Sequence, residues 1–236
     1  AGYVQLIDHL AAGVNVILDA PVEGIEWSDG SASAGQPAAV VRLRDGRALE
    51  ADFCVCTLPL GVLKRDHERL FQPPLPDRKK QAICNLGVGV LEKVALRFEH
   101  CFWEGKAKQL HCFYRVPTVE ARATPAACEA PYWLSLRPVT GSNVLIAYYA
   151  TETGRIVAKL SEEEAVKSAL ALLKSMFKPE EVDAAKLLEV KRTAWIEDEW
   201  ACGAYSFVAV GSSPEDRSAL AAPLGALHFA GEATDQ

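Results

Sequence analysis

The run of apolar and polar positions over 91–98 (LEKVALRF), with Val94, Leu96 and Phe98 on one face, predicts a strand. Lys93 shares a face there with Leu91, Ala95 and Arg97, so alternation alone does not settle whether Lys93 is buried. Further strands are expected at 109–114, 132–137, 144–150 and 187–195, with Thr140-Gly141-Ser142-Asn143 as a turn. Earlier in the chain, β-like runs occupy 14–18 (VNVIL), 22–27 (VEGIEW), 39–44 (AVVRLR) and 48–58 (ALEADFCVCTL). Asp45-Gly46 between the last two predicts a hairpin with a type I′ turn. A short strand, LHFA, runs into Gly231-Glu232-Ala233-Thr234 near the end.

Helical spacing puts Val4, Ile7 and Leu10 on one stripe of 3–12, with Gly13 as a stop. A second helix fits 77–86, where Arg78-Lys79-Lys80 reads as a solvated basic face. The clearest helix is 162–177: Ser161 and Glu164 form a capping box, and Ala165, Val166, Ala169, Leu170, Leu173 and Phe177 form its apolar stripe. Loops are expected at 28–38 and 116–131. The three prolines of FQPPLP (71–76) exclude a helix interior and suggest a crossing between domains. Strands and helices alternate without a regular βαβ rhythm, which points to an α+β (mixed α/β) fold.

Half of the 236 residues are hydrophobic, enough for one large or two smaller cores. A net charge of -6 gives no support to nucleic-acid binding. No apolar run approaches the ~20 residues of a membrane span. Seven cysteines, an odd number without a CxxC pair, argue against a disulfide framework and a zinc site, and for an intracellular, reducing compartment. The histidines show no metal-ligand spacing. Gly87-Val88-Gly89 starts like a dinucleotide loop, but it lacks the third glycine and precedes a strand instead of following one, so it is rejected as such.

Five blocks in order carry the chemistry: PLGVLK (59–64), PPLP (73–76), KVALRFEHCFW (93–103), TAWIEDEWACGAYSFVAVGSS (193–213) and HFAGEAT (228–234). Together they resemble the flavin amine oxidase family, in its polyamine oxidase and lysine-specific histone demethylase branch. The resemblance covers essentially the whole chain. It implies a substrate-binding domain with a mixed sheet flanked by helices at 73–192. It also implies parts of a Rossmann-like FAD-binding domain at 1–72 and 193–236. The family's GxGxxG unit is not in this sequence, so the expectation is an internal to C-terminal fragment that alone binds FAD weakly or not at all and is inactive.

The resemblance assigns residues as follows. Lys93 matches the lysine that holds a water beside flavin N5. Trp195 and Trp200 match tryptophans near the flavin, and Tyr205 matches a tyrosine that lines the substrate site, where an aromatic face can hold an alkyl ammonium. Glu232 matches a carboxylate that accepts from ribityl or ribose hydroxyls of FAD. Val22, Thr57 and Pro59 match positions that approach FAD. The implied reaction is hydride transfer from the carbon beside an amine nitrogen to the flavin. Imine hydrolysis and reoxidation by O2 to H2O2 follow. The implied substrate is a small amine of the polyamine type. A histone lysine demethylase and a non-catalytic structural or interaction module stay open as alternatives. Neither the oligomeric state nor the identity of the amine is readable.

Overall fold

The computed structural model describes residues 3–29, 37–104, 112–114 and 131–235. Within them the protein is a mixed α+β structure that divides into two compact units. The first comprises Ala1–Cys56, Glu68–Leu75 and Pro223–His228; the second comprises Thr57–His67, Pro76–Ala222 and Phe229–Gln236.

The first unit is built on a four-stranded sheet. Val22–Trp27 pairs antiparallel with Ala39–Leu43 and parallel with Phe71–Gln72, and Ala39–Leu43 pairs antiparallel with Ala48–Ala51. The expected hairpin forms, but with a different turn. Only Gly46 has a positive φ between the two strands (88°), and its N–H donates to Leu43 O at 3.0 Å. Leu43 N–H also donates to Arg47 O at 2.9 Å. This is the three-residue loop with one left-handed glycine, not the two-residue type I′ turn, which needs two positive φ values. The run 48–58 breaks into Ala48–Ala51 and Cys54–Cys56. Residues 14–18 form no strand, contrary to expectation, because they pair with no other strand among the described residues. The helix Val4–Ala11 does form, and its apolar stripe is exposed. Of the expected loop 28–38, residues 30–36 lie outside the described residues.

The second unit centres on a five-stranded antiparallel sheet in the order Leu187–Arg192, Leu91–Phe98, Val144–Ala150, Tyr132–Ser135, Cys112–Tyr114. The start of the strand expected at 109–114, and 116–130 of the expected loop, lie outside the described residues. Along Leu91–Phe98 the pleat sends Glu92, Val94, Leu96 and Phe98 into the core and leaves Lys93 half-buried on the other face. Three helices, Thr151–Lys159, Glu162–Met176 and Pro179–Ala184, place Val157, Ala165, Ala169, Leu173 and Val182 in that core. The capping box forms as expected: Ser161 Oγ accepts from Glu164 N–H at 3.2 Å and Glu164 accepts from Ser161 N–H at 2.9 Å. Five helices among the described residues were not foreseen in the sequence: Arg137–Thr140, Thr151–Lys159, Pro179–Ala184 and Pro214–Ala221 here, and Leu60–Leu70 here and partly in the first unit.

The basic cluster on the helix Asp77–Asn85 is corrected by the structure. Lys79 is buried, not solvated. Its Nζ donates to Ala219, Leu220 and Ala222 O at 3.0, 2.6 and 2.6 Å and lies 4.0 Å from the centre of the Phe229 ring. Carbonyls left unpaired at a helix C-terminus carry partial negative charge, and one ammonium satisfies three of them here. At the other end of Pro214–Ala221, Asp216 closes a capping box with Ser213 and pairs with Arg78 at 2.6 Å. The Arg78 guanidinium, helped by Ser213, Ser212 and Asn85, lowers the Asp216 carboxyl to about 2.

Candidate functional site

All but one of the residues singled out from the sequence lie in the second unit; Val22 opens a strand of the first. The site begins where Leu187–Arg192 ends. Thr193 N–H donates to Lys93 O at 3.0 Å, and Lys93 N–H donates to Thr193 Oγ1 at 2.9 Å. The Thr193 hydroxyl in turn donates to Glu92 at 2.6 Å. Glu92 is fully buried and also accepts from the N–H groups of Trp195 (3.0 Å) and Ile196 (3.1 Å). A buried carboxylate is costly unless it is hydrogen-bonded. These three donors satisfy Glu92, and they fix the backbone on which Trp195 stands.

A second anchor holds Trp200. The Arg65 guanidinium, on the helix Leu60–Leu70, donates to Glu199 O at 2.9 Å and to Cys202 Sγ at 3.1 Å. It keeps its charge balanced by Asp66 at 2.7 Å. Asp198 accepts from Trp200 N–H at 2.7 Å.

The third anchor explains the glycines rejected as a nucleotide loop. Gly87–Gly89 is a strand that pairs antiparallel with Tyr205–Phe207, Gly89 opposite Tyr205 and Gly87 opposite Phe207. The two aromatic rings lie on the bare glycine backbones, and a Cβ at either glycine would overlap a ring. Between them Ser206 points the opposite way. Its N–H and Oγ donate to the Glu232 carboxylate at 3.0 and 2.9 Å. Arg217 donates to Ser206 Oγ at 2.8 Å and to Ala233 O at 3.2 Å, tying this strand to the turn Glu232–Thr234. Thr57 O lies beside the same turn, 3.8 Å from where a Cβ on Gly231 would stand. Pro59 accepts through its carbonyl from Leu63 N–H at 3.0 Å, at the start of Leu60–Leu70.

The structure therefore carries Trp195, Trp200 and Tyr205 on one stretch of chain, ties Glu232 to it through Ser206, and ties Lys93 to it through Thr193. The side chains of Trp195, Trp200 and Tyr205 stay 41, 50 and 45% exposed on this fixed backbone. Half-exposed aromatic faces fit a planar apolar ring system, and a carboxylate such as that of Glu232 offers acceptors to hydroxyl donors. These residues thus suit the ring and the sugar-like part of a flavin nucleotide. Sequence reading missed Glu92, Thr193, Arg65, Ser206 and Arg217, as well as the support given by Gly87 and Gly89. One signal was present for Glu92, a carboxylate in an alternating strand on the side of Val94, Leu96 and Phe98.

The family model for flavin-containing amine oxidoreductases matches residues 1–236. Polyamine oxidase 4 of Oryza sativa subsp. japonica is 36% identical over 98% of the chain, and lysine-specific histone demethylase 1 homolog 2 of the same plant is 33% identical over all of it. The chain spans 43% and 29% of these two relatives. Cyclohexylamine oxidase from Brevibacterium oxydans IH-35A has the same fold over the whole chain, with a TM-score of 0.72 at 23% identity, and the chain covers 48% of it. The chain belongs to the flavin-containing amine oxidoreductase family.

Proposed function

We propose that these residues serve an FAD-dependent amine oxidase acting on a polyamine-type C–N bond. The observation that carries the reading is the anchored aromatic stretch from Trp195 to Tyr205, half-exposed and bound through Glu92 and Thr193 to the strand of Lys93. In this reading 73–192 forms most of a substrate-binding domain, and 1–72 and 193–236 belong to an FAD-binding domain.

When bound, a flavin supplies the hydride acceptor and passes both electrons to O2, giving H2O2. The chain's own residues do the rest. Trp195 and Trp200 exclude water from the ring system, and Tyr205 faces the amine. Glu232 accepts from sugar-chain hydroxyls, while Val22, Thr57 and Pro59 approach the nucleotide through their backbone. Lys93 holds a water near the reacting centre. The amine must be neutral to lose a hydride from its α-carbon, and the imine formed then takes up water.

A second reading, a histone lysine demethylase, is favoured by the 33% identical relative of that name. One experiment separates the two. Full-length protein with flavin absorbance near ~450 nm is mixed anaerobically with spermidine or with a peptide containing methylated lysine. Bleaching by spermidine supports the polyamine reading, and bleaching by the peptide alone supports the demethylase. Bleaching by neither removes amine oxidation altogether.

A further inference from the structure

On the face of the five-stranded sheet that carries Lys93, cross-strand register sets four residues in one line. Lys93 stands opposite Tyr148, Tyr148 opposite Tyr132, and Tyr132 opposite Tyr114. Lys93 Nζ lies 5.6 Å from the centre of the Tyr148 ring, and the Tyr148 and Tyr132 rings meet edge to face at 5.7 Å. Tyr132 is 41% exposed and Tyr114 65% exposed. In the other direction the same face carries cations. Lys191, opposite Ala95, is exposed, and Arg97 is paired with Glu189 at 2.9 Å.

We propose that Tyr148, Tyr132 and Tyr114 form a binding track for the distal cationic end of an aliphatic amine whose reacting end lies at Lys93. The proposal rests on the reading of this site as an amine-oxidising one. Adjacent strands are ~4.8 Å apart, so Tyr132 lies ~10 Å and Tyr114 ~14 Å from the Lys93 column. That is the reach of an alkyl chain with a second ammonium at its far end. A tyrosine face attracts such a cation, and the Lys191 side repels it, so one direction across the sheet is favoured. The track would select for amines with two or more positive charges over monoamines of equal length.

The test compares 1,8-diaminooctane with octylamine by titration calorimetry on the full chain. The two ligands share the reacting amine and the apolar length and differ only in the distal cation. The expected result is that the diamine binds between about 2-fold and 30-fold more tightly. Tyr132→Leu should remove most of that advantage, and Tyr132→Phe, which keeps the ring, should retain it. If Tyr132→Leu does not fold, Tyr114→Leu at its more exposed position carries the test, with a partial loss expected. Equal binding of the two amines by the unmodified chain overturns the track, as does an advantage that survives loss of both rings. Selective diamine binding without bleaching of flavin by any amine would sink the oxidase reading and leave the track standing.

Discussion

The ring of Tyr205 lies on the backbone of Gly89, its antiparallel partner, with no room for a Cβ between them. The glycine is what lets the ring lie down against the sheet while its outer face stays open. Gly89→Ala should lift Tyr205 from its seat. The expected cost is about 1–3 kcal/mol of stability, the range for overpacking, with a fall in kcat/KM for the amine larger than that for flavin content. Denaturant unfolding and steady-state kinetics check it. Unchanged kinetics at full flavin loading would show that the Tyr205 ring is not part of the substrate wall.

Glu92 is the hidden support of the aromatic stretch. Glu92→Gln keeps the size of the side chain, but the amide nitrogen cannot accept, so at least one of the three donors from Thr193, Trp195 and Ile196 loses its acceptor. A loss of about 2–4 kcal/mol is expected, together with a shift in the emission of Trp195. A variant as stable as the parent, with the same emission, would mean that Glu92 does not hold this segment.

Tyr149 faces the core opposite Glu92, and its hydroxyl has no hydrogen-bond partner among the described residues. Burial pushes this phenol up to about 12. Removing an unsatisfied buried hydroxyl without changing shape should be neutral or stabilising, so Tyr149→Phe is expected to raise stability by about 1 kcal/mol. A clear fall in Tm would reveal a partner for the hydroxyl.

Asp216 sets an acid limit on the helix Pro214–Ala221. Its carboxyl lies at about 2 in the folded chain, below the ~3.9 of a free aspartate. A depressed carboxylate stabilises the fold above the unfolded value, and the contribution fades as pH falls through the folded one. Asp216→Asn should therefore be less stable than the parent at neutral pH. The gap should shrink below about pH 4 and close near pH 2. A gap that stays constant across this range would point to shape, not charge.

For the proposed amine oxidation, Lys93→Met in the flavin-loaded full-length protein should slow turnover or flavin reoxidation by at least tenfold. Lys93 is half-buried on the face of the sheet away from the core, and Tm measured alongside separates a folding defect from a loss of chemistry. Equal rates at equal Tm would remove Lys93 from the chemistry.

Much of this architecture was legible in the sequence where one local rule dominated. The strand pattern of Leu91–Phe98, the continuous apolar run of Val144–Ala150 and the capping box of Glu162–Met176 gave these elements their bounds nearly to the residue. Where local and tertiary forces competed, reading failed. Residues 14–18 have strand propensity but no paired strand, and Lys79 looks solvated in a basic triplet until the helix end it caps is in place. The aromatic residues of the candidate site could be named from motif order. Their anchors could not, because Glu92 and Arg65 act across 103 and 134 positions of chain. No spacing rule reaches so far.

The strand Leu91–Phe98 also has a consequence for mutational data. Its even-numbered side chains enter the core and its odd-numbered ones do not. A saturation scan along it, scored separately for abundance and for amine turnover, should give two interleaved combs of sensitivity offset by one residue. Glu92, Val94, Leu96 and Phe98 would register on the abundance score. Lys93 would register on turnover alone, a phase signature obtainable from sequencing counts.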